Sequence, residues 1–366
     1  MTLSVGIPAR DLSKEAGGTK TYIENLLYSL DSLYSETRAE LSILHNDKNY
    51  RNHFDNINDT YVDTDNTVLF DYVKVPQWAY SYNFDVVLCP KNVVPFGIKA
   101  PTVVTVHDLG YFKDFKAYEW LDTRYMKTMI PSSARRADAV IAVSKNTKND
   151  VVKHLGVPSD KVSVVYEAPP PAFEHPPERE QIERIKQEYK ISNDFFLLPG
   201  GTEQRKNIKT LLKAFDMAAV GEAELIITGP SFASKELEKM AEERPKVRMI
   251  GYVPQEVLKV LYAEAVALTY PTLYEGFGLP PLEAMAMGTP VIASDVSSIP
   301  EVVGDSGLLV DPHDEGEISG AMEQIYTNLD LREVLQKRGQ ERVSSFSWLK
   351  AADQTLSILK EVADYE

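Results

Sequence analysis

The run Tyr274-Glu275-Gly276-Phe277-Gly278-Leu279-Pro280-Pro281-Leu282-Glu283 holds the residues best placed to do chemistry in this 366-residue chain. Residues Ala265 to Tyr270 read as a strand that delivers the chain to a glycine-bearing loop. Two prolines then suit the first turn of a helix, where a missing N–H is no loss. The loop therefore offers bare backbone N–H groups at the positive end of a helix, a ready anion site. Glu275 and Glu283 stand at its two ends, and each can accept from hydroxyls. Anion-binding backbone between two such acids suits a sugar joined to a nucleotide diphosphate. A plainer reading stands beside it: glycines before a helix often only turn the chain, and Glu283 then caps the helix dipole. Pro281 occupies the place of a third glycine, so Gly276-x-Gly278 does not complete a dinucleotide fingerprint.

Three further groups carry chemistry. Gly200-Gly201-Thr202-Glu203-Gln204-Arg205-Lys206-Asn207 follows a predicted strand, with Asn207 as N-cap of the helix bearing Ile208, Leu211, Leu212 and Phe215. Arg205 and Lys206 at that N-terminus are electrostatically misplaced unless an anion joins them, so this is a second phosphate candidate. Its spacing is not that of a Walker loop. Gly17-Gly18-Thr19 precedes a helix from Thr21; glycine permits close backbone approach, and Thr19 is a candidate cap. His107-Asp108 ends the strand Thr102 to Val106, where the histidine can donate to a sugar hydroxyl and Asp108 can orient it. Each also admits a structural role as a turn, a cap or a satisfied core histidine. Metal chemistry finds no support, since Cys89 is the only cysteine and the six histidines form no His-Glu-x-x-His pair.

The elements that must position these residues alternate throughout. β-Branched runs and helical periodicity follow one another, the pattern of parallel sheets with crossover helices. In the first half the predicted strands are 5–7, 41–44, 86–88, 102–106, 139–143 and 162–166. The helix from Thr21 to Leu33 places Tyr22, Leu26, Leu27 and Leu30 on one face. Residues 46–84 are polar and poorly periodic and read as a variable excursion. The proline-dense stretch Ala168 to Pro177 marks a domain boundary. Strands at 195–198, 225–228, 247–250, 266–270, 291–293 and 308–310 then repeat the theme. The domains are read as 1–170 and 171–347, with a terminal helix of about 348–366 crossing back to the first. Two doubly wound units in tandem leave a cleft between the carboxyl ends of their strands, where ligands bind.

Composition bounds the class. The chain is 43% hydrophobic, with no apolar run approaching the roughly 18 residues of a membrane span. Its start lacks a basic leader, and a lone cysteine fits a cytosolic setting. A net charge of -15 argues against nucleic-acid binding. The charge is uneven: residues 1–170 hold 19 Lys+Arg and 21 Asp+Glu, the remainder 20 and 33, so the first half approaches an anionic surface more readily.

On these motifs the chain resembles the retaining nucleotide-sugar glycosyltransferases of family 4, whose α/β GT-B fold sets two Rossmann-like doubly wound domains facing across a cleft. The resemblance runs through Gly17-Gly18-Thr19, His107-Asp108, Gly200 to Asn207, Glu275 to Pro290, Ser297-Ser298-Ile299-Pro300-Glu301 and Phe346-Ser347-Trp348. Glu275 and Glu283 match the family's Glu-x7-Glu signature. The resemblance implies that Glu275 touches the donor sugar, that Gly276, Phe277, Gly278 and Leu279 give backbone hydrogen bonds to sugar and phosphate, and that Glu283 grips the ribose. It implies that Arg205 and Lys206 neutralise the leaving diphosphate and that His107 binds the sugar. Tyr252 and Val253, after Gly251, would line the base pocket, and the Gly17-Gly18 loop would lie near phosphates and acceptor. Many members carry arginine where this chain has Gly201, a departure that Arg205 would have to make good.

The expected activity is transfer of a hexose, of mannose or glucose type, from a nucleotide diphosphate to an acceptor hydroxyl with retention. Resemblance to mannosyltransferases favours GDP-mannose over UDP-sugars. The resemblance implies no cofactor and no essential metal ion. A glycan or lipid-linked acceptor is expected, with peripheral membrane contact at the inner face and no nucleic-acid partner. The aromatic and basic run Tyr111 to Trp120 is a candidate acceptor contact, and equally an ordinary packed helix. The rival readings are a nucleotide-sugar epimerase or hydrolase of related fold and a non-catalytic nucleotide-sugar binder.

Overall fold

A computed structural model describes residues 2–14, 17–33, 39–113, 120–229 and 234–364. The acceptor candidate Tyr111 to Trp120 falls mostly outside them: only its start, a 3-10 turn at Gly110–Phe112, is described beside the backbone of Trp120. The chain divides into two units. Unit 1 comprises the described residues up to Glu167 together with those from Ser347 onward, and unit 2 the described residues from Ala168 to Phe346.

Unit 1 is built on seven parallel strands: β1 (Leu3–Pro8), β2 (Ala39–His45), β3 (Ile57–Tyr61), β4 (Val86–Cys89), β5 (Thr102–Val106), β6 (Ala139–Ala142) and β7 (Val162–Val164). Their order is β3-β2-β1-β4-β5-β6-β7. The strands are apolar on both faces because helices cover both, as parallel crossovers require; all four residues of β4 and all five of β5 are buried. The helix Gly18–Ser32 buries Tyr22, Ile23, Leu26, Leu27 and Leu30 against this sheet. The terminal helix Trp348–Val362, capped by Ser347 Oγ on the Lys350 N–H, packs beside it, and the Trp348 and Tyr22 rings meet edge to face at 5.8 Å.

The 46–84 excursion is regular structure, which corrects the reading from sequence. It contains β3, paired in parallel with β2, and a helical run from Thr67 to Tyr82 with a π turn at Phe70–Lys74. β3 is an edge strand, so most of its residues stay partly exposed and its pattern is not apolar. Two of the polar residues that suggested a loop are caps: Asn66 Oδ1 accepts from the Leu69 N–H at 2.9 Å, and Asp47 Oδ1 from the Asn49 N–H at 2.9 Å.

Unit 2 repeats the plan with β8 (Phe195–Leu198), β9 (Glu224–Thr228), β10 (Val247–Gly251), β11 (Ala267–Tyr270), β12 (Val291–Ser294) and β13 (Leu308–Val310), in the order β10-β9-β8-β11-β12-β13. The proline-rich entry docks at once: Pro171–Phe173 forms a 3-10 turn, and Phe173 is buried against the Tyr262 ring at 5.8 Å. In each unit the strand order reverses once, at β1/β4 and at β8/β11. Such reversals open a crevice outside the carboxyl ends of the strands. Among the described residues no helix is long and apolar enough to cross a membrane.

Candidate active site

Two loops meet at the β8/β11 reversal. The first leaves β8 through Gly200 and Gly201, at φ 96 and 90°, and enters a 3-10 turn at Gln204–Lys206. The second leaves β11 after Tyr270 and runs to the helix Leu279–Ala286. The Leu273 N–H donates to the Arg205 carbonyl at 2.7 Å and so ties one loop to the other.

Side chains complete the junction. Glu275 Oε1 accepts from Lys206 Nζ at 3.0 Å, from Tyr270 OH at 2.8 Å and from Thr272 Oγ1 at 2.9 Å. Glu275 Oε2 accepts from Arg205 Nη1 at 2.6 Å, while Arg205 Nε reaches Glu203 Oε2 at 2.6 Å. Lys206 also donates to the Tyr270 hydroxyl and lies over its ring, 4.5 Å from the centroid. Burial raises the Glu275 carboxyl, but Arg205 and Lys206 more than offset this and hold it down to about 2. Burial pulls Lys206 below the usual ammonium range, and Glu275 holds it up. Glu275 is therefore ionised, beside an almost fully buried ammonium group.

The backbone between Glu275 and Glu283 is clamped from the β12 side. The Glu275 N–H donates to Ser297 Oγ at 3.1 Å, and Ser298 Oγ reaches the carbonyls of Glu275 (3.0 Å) and Phe277 (2.6 Å). Gly278, at φ 121°, turns the chain into the helix, and a Cβ there would stand 3.0 Å from Ile299 Cδ1. Leu279 heads the helix, and Pro280 and Pro281 follow without donors. Glu283 is the fifth helical residue, beyond the first turn, so it is not a cap. It is buried, and its Oε2 accepts from Tyr262 OH at 2.8 Å. Burial raises its carboxyl to about 7, against the lowering by Tyr262 and Lys206.

Several residues hold places other than those expected. Asn207 does stand in the N-cap position, at φ 58°, but without a side-chain cap bond: its Oδ1 accepts from the Thr210 hydroxyl at 2.7 Å and its amide donates to the carbonyls of Pro271 (3.1 Å) and Pro312 (2.6 Å). The left-handed turn is what aims it at those loops. Gly201 packs against backbone: its N–H donates to the Thr228 carbonyl at 2.8 Å, and a Cβ on Gly229 would lie 2.1 Å from Gly201 N. The Gly229 N–H in turn donates to the Gly251 carbonyl at 2.7 Å. Gly201, Gly229 and the end of β10 thus meet backbone to backbone. A pocket of about 400 Å³ opens there, lined by Thr202, Ile227, Gly229, Met249 and Gly251, with Glu238 and Glu242 on one wall. Of the two residues following Gly251, Tyr252 is exposed and Val253 buried.

His107 and Gly18 belong to unit 1. The His107 ring is held on both nitrogens: Nε2 is 2.9 Å from the Pro90 carbonyl and Nδ1 is 3.4 Å from Glu167 Oε1, with Tyr22 edge-on at 4.7 Å. Burial lowers its basicity, but Glu167 outweighs this and raises it above the ordinary value. Asp108 does not orient the ring; its Oδ1 accepts from the Gly110 N–H at 2.7 Å. Thr19 is not a cap either, because the helix begins at Gly18 with Gly17 in the cap position at φ 130°. Gly18 has open space where a side chain would stand.

The structure therefore gathers Arg205, Lys206, Glu275, the Gly276–Leu279 loop and Glu283 in one part of unit 2. It adds Tyr270, Thr272, Tyr262, Ser297 and Ser298, of which only the two serines stood within a recognised motif. Tyr270 and Thr272 flank the end of β11 and were legible as strand-end residues. Tyr262 lies 21 residues before its partner, and nothing local announces it.

Residues 179–342 match the family described as glycosyl transferases group 1, and residues 61–168 match glycosyltransferase family 4. The chain is 33% identical over 266 residues to O-antigen chain mannosyltransferase B of Escherichia coli, covering 70% of each protein. It is 31% identical to O-antigen chain mannosyltransferase RfbU of Salmonella typhimurium over 61% of this chain and 60% of that one. Its fold matches a glycosyltransferase from Rickettsia africae with TM-score 0.76 at 15% identity, covering all of both chains. It matches Anabaena HepE in complex with UDP-glucose with TM-score 0.76 at 18% identity, covering 98% of this chain and 100% of that one. The Glu275–Glu283 loop, its paired cations, the GT-B fold and these matches make one conclusion: the chain belongs to the group 1 glycosyl transferases of glycosyltransferase family 4.

Proposed function

We propose that the chain transfers a mannosyl group from GDP-mannose to a hydroxyl of a glycan acceptor, with retention of anomeric configuration and no essential metal ion. One observation carries the reading: two cations, Arg205 and Lys206, converge with the Glu275–Glu283 loop on the sheet reversal of unit 2. Breaking the bond between the sugar carbon and the diphosphate oxygen leaves positive charge on the sugar and negative charge on the phosphate. Preorganised cations in a dry site stabilise such separation best, and losing one donor of this kind costs about 10²–10³ in rate. Glu275 releases the cations to the diphosphate and turns its carboxylate to the sugar. Glu283 accepts from the ribose hydroxyls. The acceptor oxygen attacks from the face the diphosphate leaves, and its proton passes to the departing phosphate, so no protein nucleophile is needed. His107 can contact the sugar only by giving up one of its two ring-nitrogen partners, Pro90 or Glu167.

The mannosyl part is supported by the Escherichia coli and Salmonella relatives, both named as O-antigen chain mannosyltransferases. A nucleotide donor is supported by the UDP-glucose complex of the Anabaena structure, which shares the fold. Guanine is supported by the pocket beyond β9 and β10. Glu238 and Glu242 stand one turn apart on its wall, and guanine presents N1–H and N2–H₂ donors on one edge. Uracil presents a single N–H between two carbonyls, which carboxylates repel. A lipid-linked glycan acceptor would bring the chain to the cytoplasmic face of a membrane.

The test is a panel of nucleotide sugars incubated with and without glycan acceptors, with products separated and the new anomeric centre assigned by NMR. An α-mannoside formed from GDP-α-mannose only when acceptor is present supports the reading. Donor turnover to free sugar or to an epimer at the same rate without acceptor overturns it in favour of a hydrolase or epimerase. Binding of nucleotide without turnover would leave a non-catalytic binder.

A further inference from the structure

Unit 1 has a sheet reversal of its own, at β1/β4, and a pocket of about 340 Å³ lies outside those strand ends. Its floor is apolar, from Pro8, Ile23, Phe70, Pro90 and Val93. Its wall is ionic. Asp11 is 2% exposed, and its two oxygens accept from Lys91 Nζ at 3.0 and 2.7 Å and from Lys14 Nζ at 2.9 Å. Arg10 grips Asp71 through Nε and Nη2 at 3.2 and 3.3 Å. Tyr125 lines the pocket, its hydroxyl bonded to that of Tyr72.

Among the described residues three cations, Arg10, Lys14 and Lys91, face two carboxylates, Asp11 and Asp71, and Arg10 Nη2 also stands 3.7 Å from Asp11 Oδ1. Asp11 is used up holding two ammonium groups side by side, and both lysines keep part of their surface open, 44% for Lys14 and 32% for Lys91. Burial draws Lys91 below the usual ammonium range, with Asp11 the main opposing influence. A buried anchor that fixes two partly open ammonium groups over an apolar floor is a preorganised receptor for an anion attached to something with C–H faces. Asp71 and the Tyr125 hydroxyl add acceptor capacity suited to hydroxyl groups.

We propose that this pocket binds a saccharide bearing a phosphoryl group. The phosphoryl oxygens accept from Lys14 and Lys91, the hydroxyls meet Asp71 and Tyr125, and the C–H face of the ring rests on Pro8 and Pro90. The site stands on unit 1 alone; that its occupant is the transfer acceptor rests on the function proposed above. A free sugar phosphate and a lipid-linked sugar diphosphate share this chemistry.

Calorimetric titration of the full chain in excess GDP tests it, since GDP occupies the cations of unit 2. The probes are a hexose 6-phosphate, an alkyl-diphospho-hexose and the neutral alkyl hexoside. At least one charged probe should bind roughly 10-fold or more tightly than the neutral one, the least expected of charge-assisted hydrogen bonds. Lys14→Gln and Lys91→Met should each erase that preference and leave the GDP affinity unchanged. Lys91→Met strands part of a buried carboxylate, so Lys14→Gln, at a half-open position, serves as the variant that keeps its melting temperature. Binding of the hexose phosphate assigns a free sugar phosphate; binding of the diphospho-hexose alone assigns the lipid-linked source. Equal or absent binding of charged and neutral probes overturns the proposal, as does a preference that survives in folded Lys14→Gln. Failure of GDP itself to bind would count against the transfer reading and not against this site.

Discussion

Lys206 Nζ and Glu275 Oε1 lie 3.0 Å apart, both buried, with the Tyr270 hydroxyl bonded to each. Arg205 closes the other side of the same carboxylate. The cations expected to meet a diphosphate are thus already held by a carboxylate of their own. A donor anion must compete with Glu275, and that competition can be measured.

Glu275→Gln removes the competitor's charge while keeping its shape. It should bind GDP several-fold more tightly than the parent and lose most transfer activity, because the freed cations hold the product. Lys206→Ala should lower kcat by about 10²–10³. Titration of GDP by calorimetry and single-turnover transfer check both; weaker GDP binding by Glu275→Gln would falsify the competition.

Glu283 should make donor binding depend on pH. Its carboxyl titrates near 7, so affinity for the nucleotide sugar should rise as pH climbs through that value and the acid becomes an acceptor for the ribose. Tyr262→Phe removes the donor that lowers this value and should shift the midpoint upward. The pH profile of kcat/KM, measured for both proteins, checks the shift.

The same group should oppose stability at alkaline pH. Between the ordinary 4.5 and about 7 the folded chain holds a proton that the unfolded chain has lost, so stability falls as pH rises through that window. Ionised Glu283 then costs up to about 3 kcal/mol, at about 1.4 kcal/mol per pK unit. Glu283→Gln should therefore melt higher than the parent at pH 8 and no higher at pH 4. Glu275 has the opposite sign: its contribution is complete above 4.5 and is lost as pH falls toward about 2. Urea denaturation across pH separates the two.

Gly229→Ala should break the stacked loops of unit 2. The position has φ +114°, and the added methyl would sit 2.1 Å from backbone at Gly201. Strain of about 1–3 kcal/mol from the dihedral alone is expected, with the clash in addition. A drop in melting temperature joined to loss of GDP binding is the outcome sought, and an unperturbed protein would contradict the packing described.

Removal of divalent cations should leave transfer intact, since Arg205 and Lys206 supply the positive charge that a metal ion would otherwise bring to the diphosphate. Rates with and without excess EDTA check this. A loss restored by one particular metal would overturn the proposed role of the two cations.

Much of this was legible in one dimension. Alternating apolar runs and helical faces announced two parallel α/β units, because strand and helix periods are local properties of the chain. Gly278-x-Pro280-Pro281 marked a turn into a helix, and the Glu275–Glu283 spacing marked the loop as a site, since both depend on near neighbours. The strand β3 escaped because an edge strand shows half its surface to water and so keeps a polar pattern. Asp108, and the partners though not the N-cap position of Asn207, were misread for the same kind of reason: a short polar side chain has several partners within reach, and only the fold selects among them.

What the chain alone determined was which residue types stand at the ends of which strands. The tertiary structure decided their pairing and their charge states. Arg205 is 70 residues from Glu275, Tyr262 is 21 from Glu283, and Lys91 is 80 from Asp11. No periodicity encodes such distances. They become contacts only when parallel strands bring distant loops to one sheet edge, where Arg205 and Lys206 hold one buried glutamate down to about 2 and burial sends the other up to about 7.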